Sequence, residues 1–408
     1  MRIAQIAFQY GTTGRVGGAC IAASRLHKTL LAHGIESHFL CWEALESGEN
    51  IHVLPKGWKR GLYYLLSRCS HYGWSLTPYR KPIPLNLFPV FGFEDELKHI
   101  DPDVVHIQWI NEDFPSLSQF ANVNRPVIVN LHDCFIFNAI DPYPGLDRRF
   151  VIGFEGGDST VIERWVFKRK RLAVMNARPI FVGPSNWICE EAKLSIIGRN
   201  SVIEVLQNPV SADFFYHQEW CFQHHKMIIV FGCSGGTKNF NKGWDDLLKA
   251  VLSLTREMRE RIAIRVFGED SASFEIDGCE VSFAGVVNDP ADLCRFYHSG
   301  DVFALPSRLD NAPQTKFEAL MCGLPVIAFR RTGCAEHIDH CVNGWIAADG
   351  DVAGFAAGIE YFCRLYDSGE LPALKAEIAR SSRVMFSDEN VVKRATAIYE
   401  RAVRGYRQ

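Results

Sequence analysis

Strand-like and helix-like segments alternate along most of this chain, and that alternation restricts the fold more than any single motif does. Arg2–Gln9 reads as a strand, Tyr10–Gly18 as a Gly- and Thr-rich loop, and Ala19–His33 as a helix with Ile21, Leu26, Leu30 and Leu31 in periodic register. Asp103–Ile107 and Val127–Leu131 are short apolar runs introduced by Pro102 and Pro126. Ile180–Val182 is a third such run, followed by Ser185 in position to cap a helix. A second series follows: strands at Met227–Gly232, Ile262–Gly268, Glu280–Ala284, Asp301–Leu305 and Pro325–Phe329, with helices at Gly243–Arg259, Pro290–His298 and Thr315–Cys322. The last 60 residues or so read as mostly helical. Short uncharged strands joined by helices build parallel sheets covered on both faces. The chain therefore predicts an α/β protein of two doubly wound domains facing a central cleft. Residues 1–207 form the first domain and 208–386 the second, and a final helix at about 387–408 is a candidate to pack back on the first.

The 408 residues suit two domains. With 44 basic and 47 acidic residues the formal charge is −3, which argues against nucleic-acid binding through bulk charge. The 13 cysteines contain no CxxC pair, so neither a disulfide framework nor a CxxC zinc site is expected, and a reducing cytoplasm is. No run of about 18 uncharged apolar residues is present. No GxGxxG follows the first strand, which disfavours a dinucleotide oxidoreductase.

The most informative stretch runs from Ser307 to Ala328 and reads strand, loop, helix, Gly, strand. Asn311 and Gln314 have capping-box spacing. Phe317, Leu320, Met321 and Leu324 repeat at i, i+3, i+4 and i+7 and should face the sheet. Glu318 lies about 100° round from Phe317, on the side of Gln314, Thr315 and Cys322. Free amides at the helix start suit a phosphate.

Asp310-x7-Glu318, followed by Ala-Leu-Met-Cys-Gly-Leu-Pro-Val-Ile-Ala, resembles the E-x7-E signature of GT-B fold retaining glycosyltransferases of family 4, also called glycosyltransferase group 1. Further points of resemblance are Gly17-Gly18, Pro102–Trp109, His132-Asp133, Val182–Ser185, Asn208–Val210, Lys242-Gly243, Phe283–Val287 and Thr332–Glu336. Asp310 stands where the pattern has Glu, and no Arg lies between Lys226 and Lys242, Lys238 being the nearby cation.

The resemblance implies two Rossmann-like domains and transfer of a hexose from a GDP- or UDP-sugar, with no metal and no other cofactor. It implies a donor site of Gly17, Gly18, Lys238, Lys242, Val286, Val287, Asn311, Ala312, Pro313, Gln314, Thr315 and Glu318. Within it, Glu318 would bind the ribose, Lys242 would neutralise the diphosphate, and Val286 and Val287 would flank the base. Asp310 would lie beside the sugar and phosphates, and His132 would bond the transferred sugar or the reacting centre. His132, Asp310 and Lys242 are thus the catalytic candidates. An inactive donor-binding scaffold and a transferase acting on a soluble or glycolipid acceptor are the competing readings.

From Asn50 to Gly92 the chain has no Asp or Glu but six Lys or Arg residues, interleaved with aromatic and leucine residues. Segments 56–81 and 164–171 are therefore candidate contacts with an anionic membrane, and equally well core-packing helices with a solvated basic face. A glycan or lipid-linked acceptor of bacterial surface polysaccharide assembly would satisfy them. That places the protein in the cytoplasm or at the inner face of the plasma membrane.

Overall fold

The computed structural model describes residues 1–12, 16–72, 85–110, 113–143, 147–215, 225–232 and 236–407. Part of the basic aromatic segment, 73–81, therefore lies outside the described residues. The chain divides into two compact units: residues 1–12, 16–209 and 391–408 form the first, and 13–15 with 210–390 the second.

The first unit is built on strands β1 (Arg2–Ile6), β2 (Gln9–Tyr10), β3 (Glu36–Cys41), β4 (Glu43–Ala44), β5 (Ile51–Val53), β6 (Val104–Ile107), β7 (Val127–Asn130), β8 (Ile180–Gly183) and β9 (Ile203–Val205). Seven of them form a sheet in the order β5-β3-β1-β6-β7-β8-β9 with every neighbouring pair parallel. Its helices are α1 (Gly18–Ala32), α2 (Trp58–Tyr72), α3 (Phe93–Ile100), α4 (Leu117–Ala121), α5 (Val161–Ala177) and α6 (Asn186–Leu194). β6 and β7 are buried along their whole length, because helices cover both faces. A polar ladder runs through this apolar sheet. Gln108 donates to Gln5, Gln5 to Ser37, and Asn130 to Gln108, each at 3.0 Å. Such paired side chains avoid the cost of burying a polar group alone and fix strand register.

The second unit repeats the design. Strands β10 (Met227–Gly232), β11 (Ile262–Phe267), β12 (Phe274–Ile276), β13 (Cys279–Phe283), β14 (Val302–Leu305), β15 (Val326–Phe329) and β16 (Gly344–Ala347) lie in the order β12-β13-β11-β10-β14-β15-β16. All pairs are parallel except β12 with β13. The helices are α7 (Trp244–Ser253), α8 (Arg256–Glu260), α9 (Pro290–His298), α10 (Gln314–Met321), α11 (Val352–Ser368), α12 (Leu371–Met385) and α13 (Asp388–Arg407). The single helix expected over Gly243–Arg259 is two. Leu254 turns to extended backbone, and the Thr255 hydroxyl accepts from the Met258 amide to start α8.

From Val391 onward, α13 belongs to the first unit. Val391, Ala395, Ile398, Tyr399 and Ala402 pack with Ile3, Leu26, Leu30, Val104, Ile128 and Val182. The Tyr399 hydroxyl meets Nδ1 of buried His106 at 2.9 Å, and Arg394 and Arg401 pair with Glu204. No helix among the described residues is long and apolar enough to cross a membrane.

Candidate functional site

Strand order decides where each unit can bind a ligand. In the second sheet β10 is flanked by β11 on one side and β14 on the other, so the order reverses between β10 and β14. Loops leaving adjacent strands diverge at such a reversal and open a crevice beyond the carboxyl ends. Lys242 lies in the connection after β10 and Asp310 in that after β14. Lys242 Nζ is 2.7 Å from Asp310 Oδ2, with both side chains mostly covered.

Local structure holds these two loops together. Gly243 adopts φ 68°, and a Cβ there would stand 1.9 Å from the Pro306 carbonyl oxygen, so only glycine fits. The Arg308 amide donates to the Asn241 carbonyl at 2.9 Å. The Arg308 guanidinium lies 4.1 Å from the Phe240 ring centroid and pairs with Asp245 and Asp246, each at 2.7 Å. Arg308 was not foreseen: it enters from the other loop, so no local motif flags it.

Helix α10 begins four residues after Asp310. The expected capping box of Asn311 and Gln314 does not form. Pro313 is the residue preceding the helix, and no side chain caps the start. A fixed proline sets the entry angle and brings no side-chain acceptor of its own. Asn311 and Pro313 are buried there, and Ala312, Gln314 and Thr315 are half-buried. Phe317, Leu320, Met321 and Leu324 pack into the core of this unit, as their spacing requires. Glu318 is not a solvated helix acid, for it is buried and accepts a hydrogen bond from the Tyr297 hydroxyl on α9 at 3.1 Å. The helix is covered on nearly every side, which the amphipathic pattern does not reveal.

A second buried charge on α10 orders the neighbouring loop. Lys316 Nζ donates to the carbonyls of Gly333 and Glu336 at 2.7 and 2.8 Å. Burial pushes its ammonium down to about 8. The same loop reaches Asp310: the Gly333 amide donates to the Asp310 carbonyl at 3.2 Å, and the Asp310 amide to Thr332 Oγ1 at 3.4 Å. Lys316 thus ties 332–336 to the helix that carries Glu318.

The other expected donor residues are spread more widely. Lys238 is exposed, four residues before Lys242. Val286 is exposed, and Val287 is half-buried against the core.

Gly17, Gly18 and His132 belong to the first unit. Gly17 precedes α1 in extended backbone, Gly18 opens it, and no described atom lies within 4 Å of a Cβ built at either. Close packing within the unit therefore does not demand glycine there. His132 follows β7, and burial pushes its imidazole down to about 4, so it is neutral at pH 7. The adjacent Asp133 is raised by burial while accepting from Trp109 Nε1 at 3.0 Å and from the Phe135 amide at 2.8 Å.

The two basic segments are only partly surface. Lys170 is buried, donating to the carbonyls of Phe135 and Ala139 at 2.5 and 2.9 Å, so it does not belong to an outward basic face. Tyr63 is likewise buried, its hydroxyl bonded to the Asp113 carbonyl. Val161, Trp165, Lys168, Leu172 and Met175 remain exposed as a stripe along α5, with the Arg169 guanidinium 4.8 Å over Trp165.

Paired Rossmann-like units with these sheet orders are the GT-B fold. The chain shares it with the Anabaena HepE protein solved with UDP and glucose, at a TM-score of 0.60 and 14% identity over 97% of this chain and 98% of that one. Residues 228–364 match the family described as "Glycosyl transferases group 1". Within curated proteins, the chain is 32% identical over 112 residues to a D-inositol 3-phosphate glycosyltransferase of Mycobacterium marinum, covering 28% of this chain and 24% of that one. It is 35% identical over 72 residues to the amylovoran biosynthesis glycosyltransferase AmsK of Erwinia amylovora, covering 16% of this chain and 18% of that one. The chain spans less than a quarter of the length of these curated relatives.

Proposed function

We propose that the protein is a retaining glycosyltransferase that moves a hexose from a GDP- or UDP-sugar to a glycan or lipid-linked acceptor during assembly of a bacterial surface polysaccharide. The observation that carries this reading is the Lys242–Asp310 pair at the strand-order reversal, beside the start of a helix that presents buried Glu318. These residues lie within the region that matches the group 1 transferases.

The chemistry follows from the charges. Bond cleavage leaves negative charge on the nucleoside diphosphate. Lys242 and the first-turn amides of α10 would meet that charge with donors already in place, an arrangement worth about 3–4 kcal/mol for a single well-aimed donor. Such donors can act without a metal in the transfer step. Asp310 would hold Lys242 in position until diphosphate competes for it. Glu318, steadied by Tyr297, would accept from ribose hydroxyls. The HepE complex with UDP and glucose supports a nucleotide sugar, and the amylovoran relative supports a polysaccharide acceptor.

The test is a thermal-shift comparison of UDP, GDP, UDP-glucose and GDP-mannose. A true donor at about 100 times its Kd stabilises by about 2.7 kcal/mol. Failure of every nucleotide to raise the Tm would overturn the reading.

A further inference from the structure

Helices α9 and α10 meet at a second cluster of reactive groups, apart from the Tyr297–Glu318 bond. Cys294 and His298 lie four residues apart, one helical turn, and so share a face of α9. Cys322 follows the last residue of α10. All three are buried, and their ligand atoms lie within 4.8 Å of one another.

We propose that Cys294, His298 and Cys322 form a zinc site that clips α9 to the end of α10. Three details of geometry favour a metal over a chance meeting of thiols. The two sulfurs are 3.7 Å apart. Two Zn–S bonds of about 2.3 Å at the tetrahedral angle put sulfurs about 3.8 Å apart, whereas a disulfide needs them at about 2.0 Å. His298 Nε2 lies 2.6 Å from the Phe215 carbonyl, which can only accept. Nε2 therefore carries the proton and Nδ1 the lone pair that a metal would take, and the same carbonyl lies 3.5 Å from Cys294 Sγ. The donor set itself, two soft sulfurs and an imidazole, selects zinc over magnesium or calcium.

Zinc binding would release the two thiol protons to solvent, leaving two thiolates that balance the ion's charge. The fourth position would be taken by water or a carbonyl. The role is structural: a clip here fixes the end of the helix that presents Glu318, four residues before Cys322, and takes no part in sugar transfer.

The experiment is metal analysis of the full chain, expressed with zinc and purified without chelators. We expect about one zinc per chain, and cobalt substitution should give thiolate-to-cobalt charge-transfer absorption in the near ultraviolet. Cys322→Ala and His298→Gln should each lose the metal, and Cys341→Ser, an exposed cysteine outside the cluster, should keep it. If those two variants do not fold, the zinc absorption edge of the wild type decides: a shell with two sulfurs supports the site, and an all-oxygen and nitrogen shell overturns it. Wild type with less than about a tenth of an equivalent, zinc unchanged in both folded variants, or a chain two mass units light with both thiols protected from alkylation would also overturn it. None of these readouts depends on transferase activity, so the clip and the donor site stand or fall separately.

Discussion

Glu318 and Tyr297 are a buried acid and phenol on neighbouring helices, and a buried carboxylate needs its donors. Glu318→Gln keeps the shape and an acceptor for Tyr297 but removes the charge offered to a ribose. A hydrogen bond to a charged group is worth about 1.5–3 kcal/mol, so UDP affinity measured by calorimetry should fall about 10- to 100-fold with little change in Tm. Histidines give a second residue-scale prediction. Burial holds His27 and His132 at about 4 and His106 at about 3, all below the ordinary 6.5. A lowered folded pKa means that this stability is fully present above pH 6.5 and is lost as pH falls from there toward 4, because the unfolded chain takes up the protons first. Each such histidine contributes a slope of up to about 1.4 kcal/mol per pH unit. Urea midpoints should be flat from pH 8 to 7 and decline from 6.5 to 5. His106→Asn should flatten that decline, whatever its effect on absolute stability. Single residues were also where the sequence was least legible. Its periodicity marks Glu318 as lying off the apolar stripe, but burial of that side comes from α9, which a window on α10 does not contain. Arg308, Lys316 and the Cys294–His298–Cys322 cluster were missed for the same reason: each acquires its meaning from a partner elsewhere in the chain.

Elements were read better than residues because their signals are local. β10 and α9 have the bounds that their apolar runs and proline start predict. Strands such as β3, β5, β9 and β16 escaped notice, since His38, His52, Glu204 and Gly344 interrupt or shorten their apolar runs. The loops that matter most are joined by contact and not by pattern. Gly243 lets the turn after β10 touch the strand end at Pro306, and Gly243→Ala must move one of them. We expect a loss of about 1–3 kcal/mol, seen as a lower Tm, together with weaker UDP binding as Lys242 shifts. On α5 the exposed Val161, Trp165, Leu172 and Met175 with their basic neighbours make a stripe suited to a lipid interface. Co-sedimentation with vesicles of phosphatidylglycerol should exceed that with neutral vesicles, and Trp165→Glu with Leu172→Glu should abolish it. Equal binding of that double variant would leave the stripe without this role.

At the scale of the whole molecule, the first unit is made from the two ends of the chain. Five apolar residues of α13 fill its flank. Burial of each of the three large ones, Val391, Ile398 and Tyr399, is worth up to about 1.5–3 kcal/mol and of each alanine methyl about 0.8 kcal/mol, which together is comparable with the 5–15 kcal/mol of an ordinary domain. A chain stopped at Asn390 should therefore lose the fold of residues 1–209 while 210–390 survives. Limited proteolysis followed by mass spectrometry would show this as a protected fragment from the second unit alone; equal protection of both would contradict it.

Synthesis runs from the amino end, so the segment that completes the amino-terminal unit is made only after the whole of the second unit. Until then Ile3, Leu26, Val104 and Ile128 wait with their covering helix still in the exit tunnel or unmade. The second unit, contiguous apart from three residues, has no such delay. The half that is translated first is thus the half whose core is completed last.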